Sequence, residues 1–265
     1  TNVPAEILLT WTDVLGLESA TPFRLRVEPV PDQAPSTYIQ GIDRQRVMLA
    51  EETIEFEVLS EDDYGVKEIG IEWDGQFTKP TDETPANGDM KVLDGAPDMQ
   101  RLGKGVAFSP SVLGIQPQQL TLRAYAEDYS PERGRVYSEP ITLFILTRDE
   151  HAQLLKTQFD RIIGELEDLA RREQNNHDEN KRLERVDPEN LQDEESQEKL
   201  KTQEQNEAEN TERMKELAQK MEELFKDAAR NRELDPETMK KLAESLKKMQ
   251  ELGNQDMPKV EKKLS

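Results

Sequence analysis

Side-chain periodicity changes once along this chain, near Arg148, and that change limits the fold more than any other feature. Before it, apolar residues alternate. Residues 53–60 (TIEFEVLS) set Ile54, Phe56 and Val58 against Thr53, Glu55 and Glu57. Residues 66–73 put Ile69, Ile71 and Trp73 on one side, and residues 119–126 put Leu120, Leu122, Ala124 and Ala126 on one face. A period of two belongs to strands with one buried and one wet face, the pattern of antiparallel sheets rather than of parallel ones buried on both sides. After Arg148, Leu155, Phe159, Ile162, Leu166 and Leu169 step by 4, 3, 4 and 3, which is a heptad seam. Both tryptophans, all five tyrosines and nearly all prolines and glycines precede the switch, while Glu, Gln, Lys, Asn and Leu dominate after it.

The first part contains an internal repeat. Residues 8–27 (LLTWTDVLGLESATPFRLRV) and 122–146 (LRAYAEDYSPERGRVYSEPITLFIL) both run strand, Asp (Asp13, Asp128), a turn with Gly (Gly16, Gly134), Ser (Ser19, Ser138), Pro (Pro22, Pro140), strand. The aspartates lie 115 residues apart and the prolines 118, one immunoglobulin-sized spacing. Each copy reads as the final hairpin of a β-sandwich. Residues 1–28 are therefore expected to be the last two strands of a truncated upstream repeat, and residues 29–147 a complete immunoglobulin-like β-sandwich. Trp73 reads as a plug between its sheets. Residues 79–105, with two Asn/Asp-Gly steps and few apolar side chains, read as a long, partly mobile surface loop.

Residues 148–265 form the second part, an all-α antiparallel helical hairpin or coiled-coil arm with a third helix. Its first seam fades after Leu169. Asp187-Pro188 is a helix-start signal, with Asp as cap and Pro at the first helical position. The following helix opens very polar and regains a seam at Met214, Leu217, Met221, Leu224 and Ala228. Asp235-Pro236 repeats the start signal, Met239, Leu242, Leu246 and Met249 continue the seam, and Gly253 reads as a stop. Folding back at Asp187 makes the first two helices antiparallel. The polar stretch 170–213 is then a distal tip with few apolar contacts, expected to be frayed, mobile or dependent on a partner.

Composition agrees with this division. The chain is 34% apolar and 34% charged, against ~45–50% and ~25% in an ordinary globular protein. It cannot bury all of itself in one core, so an elongated shape or local disorder is expected. Residues 1–147 carry 12 basic and 25 acidic side chains, net −13; residues 148–265 carry 23 and 31, net −8. Neither half attracts phosphate, which argues against nucleic acid and anionic membrane, while the acidity suits cations and basic partners. With no cysteine, disulfides, zinc–thiolate sites and thiol catalysis are excluded. That fits a reducing cytosol or an exported bacterial protein that does without disulfides. No signal peptide and no membrane-crossing apolar run is present, and the first residues read like the interior of a larger protein, which leaves an upstream anchor open.

The sharpest local motif is Glu61-Asp62-Asp63-Tyr64-Gly65, between two predicted strands. As a turn it uses Asp for its turn preference, Gly65 for positive φ and Tyr64 to pack over the sandwich end. As a metal site, Asp62 and Asp63 together with Asp128 or Glu127 would take a hard cation such as Ca²⁺, although the 12-residue spacing of an EF-hand is absent. His151 and His177, 26 residues apart, read as solvated surface residues, since a catalytic site needs convergent partners. The carboxylate pairs Glu165/Asp168, Glu194/Glu195 and Glu222/Glu223 read as wet helix faces; a glycosidase would need an aromatic-lined cleft, and aromatics make up 5% of the chain. The stripe Met214, Met221, Met239 and Met249 reads as core, with an adaptable partner groove as the alternative. No GxSxG, Walker loop, GxGxxG or HExxH is present.

Taken in order, PDQAPSTYIQG (31–41), EFEVLSEDDYGVKEIGIEW (55–73) and LRAYAEDYSPERGRVYSEPITLFIL (122–146) resemble large bacterial envelope proteins of the planctomycete and verrucomicrobial type. Those proteins are built of amino-terminal membrane segments, immunoglobulin-like repeats with a DDYG turn, and then long Gln/Glu-rich helices. The tail NQDMPKVEKKLS (254–265) is similar to short helical repeats in their carboxy-terminal regions. The resemblance covers most of the chain and implies an envelope location facing the periplasm. It supplies no catalytic residue and no ligand. The expectation is a non-enzymatic structural or protein-interaction module whose sandwich repeats are spacers and whose helical arm contacts a protein partner or a second copy. The alternative is a Ca²⁺-dependent adhesion module with the cation at the EDDYG turn, at Asp62, Asp63 and Asp128.

Overall fold

A computed structural model describes residues 4–183, 185 and 193–264. It divides into two compact units, Thr1–Ile145 and Leu146–Ser265. The first is β throughout and the second is helical. The Asp187-Pro188 start signal lies outside the described residues.

In the first unit, strands β1 (Ala5–Leu9) and β2 (Phe23–Val27) pair only with each other, as an antiparallel two-stranded sheet. The remaining strands are β3 (Ser36–Gln40), β4 (Gln45–Leu49), β5 (Ile54–Glu61), β6 (Val66–Gln76), β7 (Asn87–Asp94), β8 (Arg101–Phe108), β9 (Gln119–Asp128), β10 (Val136–Tyr137) and β11 (Ile141–Leu146). One sheet runs β4-β11-β9-β6-β7, with β10 beside β9; a second runs β3-β5-β8. The predicted alternation appears as burial: Ile54, Phe56 and Val58 of β5 point inward while Glu55 and Glu57 are wet. The core draws on both sheets, with Phe108 of β8 packed edge-on against Trp73 of β6 at 5.7 Å between ring centroids. Trp73 is 7% exposed and plugs the space between the sheets, as expected.

The loop expected over residues 79–105 is instead largely two strands, β7 and β8. The glycines of its Asn-Gly and Asp-Gly steps are packing positions: Gly88 sits directly opposite Trp73, where a Cβ would stand 2.6 Å from the indole, and a Cβ on Gly95 would meet the Val66 carbonyl at 2.1 Å. In β6, Gly70 likewise sits opposite Tyr125, where a Cβ would stand 2.3 Å from the phenol ring. Aromatic rings lying over cross-strand glycines cover backbone that would otherwise be bare. Gly65 was also misassigned. Positive φ occurs at Gly16, Gly41 and Gly114 and not there; Gly65 is glycine because a Cβ would meet the carbonyl of Pro97 at 2.5 Å.

In the second unit α1 spans Arg148–Leu183, α2 Glu194–Ala228, α3 Pro236–Glu251 and α4 Met257–Leu264. Contacts join the start of α1 to the end of α2 (His151 with Asp227) and the end of α1 to the start of α2 (Asn180 with Glu207), so the two helices run in opposite directions. Leu155, Ile162 and Leu169 meet Met214, Leu217, Met221 and Leu224, and Leu242 and Met249 of α3 add to the same core. The methionines of the stripe are thus core residues. Asp235 caps α3 as predicted, accepting from the Thr238 amide at 2.8 Å with Pro236 in the first turn. Asp193 caps α2 in the same way, accepting from the Ser196 amide at 2.7 Å.

The polar stretch beyond Leu169 is helix in α1 as far as Leu183 and again in α2 from Glu194, and it packs through polar side chains: Asn176, Gln203, Glu207, Asn210 and Thr211 are each at most 7% exposed. Gly253 does not stop the chain. A single π-type turn, Leu252–Asp256, carries it into α4, and Gly253 lets that turn approach α2, where a Cβ would lie 3.2 Å from Met214. No helix among the described residues is long and apolar enough to cross a membrane.

Candidate functional site

The acidic turn lies where β5 ends and β6 begins. Asp62 is 5% exposed, and its Oδ2 accepts from the amides of Tyr64 (3.1 Å) and Gly65 (2.7 Å), which folds the turn. Its Oδ1 is buried and has no hydrogen-bond partner. Asp63 is exposed and accepts weakly from the Gln33 amide at 3.4 Å. Asp32, on the segment leading from β2 to β3, completes a group of three carboxylates. One oxygen from each of Asp32, Asp62 and Asp63 lies within 4.8 Å of the others.

The structure thus brings together two of the three acids named from the sequence and substitutes Asp32 for Asp128. Asp128 is engaged elsewhere: its Oδ1 accepts from the Ser130 amide at 2.9 Å, and its Oδ2 is ion-paired with Arg133. Arg133 also donates to the carbonyls of Gln33 and Asp32 and stands 3.7 Å from the Asp32 carboxylate. Sequence reasoning missed Asp32 because it lies 30 residues from the turn on a proline-flanked connection; PDQAP marks a loop but not where the loop lands.

A second charged cluster spans β6, β7, β9 and β10. Arg135 lies 3.8 Å over the Tyr125 ring and reaches Glu72 (3.3 Å), Asp89 (2.8 Å) and Glu127 (3.5 Å). The Tyr137 hydroxyl donates to Glu72 at 2.8 Å. Burial pushes the Tyr125 hydroxyl up to about 12. Partial burial opposes the Arg135 charge, but the hydrogen bond it donates to Asp89 and the surrounding carboxylates more than offset it and hold the guanidinium charged. One cation bridging three carboxylates over an aromatic ring holds strands together.

On the helices, His177 is exposed as expected, but His151 is not: it is 0% exposed, with Nε2 3.3 Å from Asp227 Oδ1. The heptad positions alone did not reveal this, because His151 precedes the apolar seam by one turn. Of the acid pairs, Glu165 is held by Lys220 (2.7 Å) and Arg161 (3.3 Å), Asp168 by Arg171, Glu195 by Lys199 (2.6 Å) and Glu222 by Lys226 (2.7 Å). The Lys220 hydrogen bond holds the Glu165 carboxyl below its usual range.

A groove of about 630 Å³ is bounded by α1, α2 and α4. Its floor is apolar (Leu166, Leu169, Met214, Met257) and its rim carries Leu252 and Val260, both over 40% exposed. Glu173, Glu207 and Asp256 line it, with no lysine or arginine among the lining residues. Burial pushes the Glu173 carboxyl above its usual range, and neighbouring Asn210 works the other way. Along the same stretch, buried atoms of Asn176, Asn180, Gln203 and Thr211 have no hydrogen-bond partner among the described residues.

No protein-family model matches the chain, and no curated protein matches it. Among solved structures, a Niemann-Pick type C2 protein from Japanese carpenter ant is 11% identical over 45% of this chain and 98% of its own, with a TM-score of 0.31. A structure of the bacterial superantigen toxic shock syndrome toxin-1 is 12% identical over 42% of this chain and all of its own, with a TM-score of 0.23. A β-glucosidase from Listeria innocua is 9% identical over 45% of this chain and 17% of its own, also with a TM-score of 0.23. At such scores none of them carries an argument about this chain.

Proposed function

We propose that this protein is a non-enzymatic interaction module. In this reading the β unit is an immunoglobulin-like sandwich serving as a spacer, and the helical unit is an antiparallel hairpin with a third helix that presents its groove to a partner. The observation that carries the reading is the groove itself: an apolar floor open to solvent, with Leu252 and Val260 exposed at its rim and carboxylates but no lysine or arginine in its lining. The occupant is a basic amphipathic helix of another protein. Leu166, Leu169, Met214, Leu252, Met257 and Val260 suit its apolar anchors, while Glu173, Glu207 and Asp256 suit its Lys and Arg. A second copy of this chain is disfavoured by its net charge of −21. The sequence resemblance supports a periplasm-facing setting in a bacterial envelope.

A synthetic helical peptide with Leu at i, i+3, i+4 and i+7 and Lys on the opposite face tests this by calorimetry. Binding to the 265-residue chain, lost in Leu252→Asp and Val260→Asp, supports the assignment. Absence of heat, or heat unchanged by both rim substitutions, overturns it.

A second reading, Ca²⁺ binding at Asp32, Asp62 and Asp63, is favoured by the orphaned Oδ1 of Asp62. Ca²⁺–oxygen distances are ~2.3–2.6 Å, so ligand oxygens across one ion stand up to ~5 Å apart, which the triad meets. The remaining ligands would be carbonyls and water. Arg133 beside Asp32 is the competitor for the same carboxylates. Titration with CaCl₂ should release heat and raise the melting temperature, and Asp32→Asn and Asp63→Asn should abolish both effects. A flat titration removes the reading.

A further inference from the structure

Hairpin β1–β2 carries an apolar face that nothing in the β unit covers. Ile7, Leu9, Trp11, Phe23, Leu25 and Val27 are 42–60% exposed. The same chain contains a second hairpin of the same build. In β9–β11, Leu122 faces Ile141 and Leu120 faces Leu143; in β1–β2, Leu9 faces Phe23 and Ile7 faces Leu25. The correspondence extends beyond the strands. The Ser138 amide donates to the Ala124 carbonyl at 2.9 Å, and the Ser138 hydroxyl accepts from the Ala124 amide at 2.9 Å. The Ser19 amide donates to the Trp11 carbonyl at 2.9 Å, and the Ser19 hydroxyl accepts from the Trp11 amide at 3.4 Å. This serine clasp fixes the alignment: Ile7, Leu9 and Trp11 stand where Leu120, Leu122 and Ala124 stand, and Phe23, Leu25 and Val27 where Ile141, Leu143 and Ile145 stand.

In β9–β11 all six of those positions are at most 5% exposed. What buries them is known. The free edge of β9 pairs with β6, that of β11 with β4, and the sheet β3-β5-β8 closes the core. For β1–β2 both edges and the inner face lack these neighbours among the described residues. We propose that β1–β2 is the closing hairpin of a second immunoglobulin-like unit whose other strands come from a preceding segment of the same polypeptide. That segment supplies a β6-like strand along β1, a β4-like strand along β2, and a facing three-stranded sheet. A second copy of the 265-residue chain cannot do so, because its β3–β8 strands are already closed by its own β9–β11. Ser36 lies 83 residues before Gln119, so the matching first strand lies about that far ahead of Glu6. One side-chain difference makes the partner specific: where the complete unit has Ala124 the hairpin has Trp11, so the residues facing it leave room for an indole. This inference goes beyond the groove assignment and stands whether or not the helices bind a peptide.

The test compares amide hydrogen exchange and Trp11 emission in the 265-residue chain and in the natural polypeptide extended by the residues that precede Thr1. The internal standard is β9–β11. In the shorter chain the amides of β1 and β2 should exchange orders of magnitude faster than those of β9 and β11. In the extended polypeptide they should slow to the β9–β11 range, with Trp11 emission shifted to the blue. There Leu9→Asp and Leu25→Asp should return the hairpin to fast exchange while the outward-facing Leu8→Asp should not, and β9–β11 should be unaffected throughout. Fast exchange of β1–β2 in both polypeptides, slow exchange that survives Leu9→Asp and Leu25→Asp, or a preceding segment without alternating strand pattern overturns the proposal.

Discussion

Thr211→Val probes the unpartnered layer of the helices with the least disturbance. Thr211 is 2% exposed in α2, and its Oγ1 is buried without a hydrogen-bond partner. Valine has the same shape and nearly the same helix propensity as threonine, so the substitution changes one atom from hydroxyl to methyl. At a satisfied site that change loses about 1 kcal/mol. At Thr211 it removes an orphaned group whose desolvation costs about 1–3 kcal/mol, and it adds roughly one buried methyl. A gain of about 1 kcal/mol is therefore expected. Exposed Thr157 and Thr202, whose hydroxyls donate to the carbonyls of Gln153 (3.0 Å) and Glu198 (2.8 Å), are the controls and should change little or lose stability. Urea unfolding followed by helical circular dichroism reads the effect. With a slope of about 2 kcal/mol/M, the midpoint should rise by roughly 0.5 M. A midpoint lowered by that amount would show that Oγ1 finds a partner in solution and would refute the orphaned-hydroxyl argument.

Other consequences follow from single contacts. Gly70→Ala drives a methyl into the Tyr125 ring, over which Arg135 lies, and should cost the β unit about 1–3 kcal/mol; Gly105→Ala, with nothing within 4 Å, should be near neutral, and equal midpoints for the two would refute the packing argument. His151→Ala should cost about 2–4 kcal/mol of helical-unit stability, since it empties a fully buried site and strips Asp227 of a partner; a loss below ~0.5 kcal/mol would return His151 to the surface. Two carboxyls should give opposite pH signatures in thermal melts. Asp235 is held low by the Thr238 hydroxyl and amide, so Asp235→Ala should lower the melting temperature at pH 7, with the difference fading as pH falls through the depressed folded value. Glu173 is held high by burial, so its contribution is present below the ordinary carboxylate range and lost as pH rises through the raised value; Glu173→Gln should stabilise at pH 7 and be neutral near pH 4.

Sequence periodicity carried the two-part division because burial alone produces it. β5 and β9 need one dry face, and α1 and α2 need a seam at Leu155, Ile162, Leu217 and Leu224. It failed where glycine or polar residues do the packing. β7 and β8 were hidden because Gly88 is covered by Trp73, a contact between different strands that no local window registers. The distal helices show no apolar seam because Asn176, Gln203 and Asn210 are hydrophilic, yet these residues lie at seam positions and are buried. The acidic turn was legible as Glu61-Asp62-Asp63, while its third acid was not. Asp32 arrives through a connection whose path depends on Arg133 holding the Gln33 and Asp32 carbonyls. His151 was misjudged for a similar reason: its burial depends on Asp227, 76 residues away.

The most direct measurement of the interaction reading is residue-resolved hydrogen exchange of the 265-residue chain with and without the basic amphipathic peptide. The account predicts slower exchange confined to α1 from Leu166 onward, α2 as far as Met214, and the segment from Leu252 through α4, with β3–β11 unchanged. Exchange left unaltered in those helices at saturating peptide, or slowed equally across both units, would contradict it.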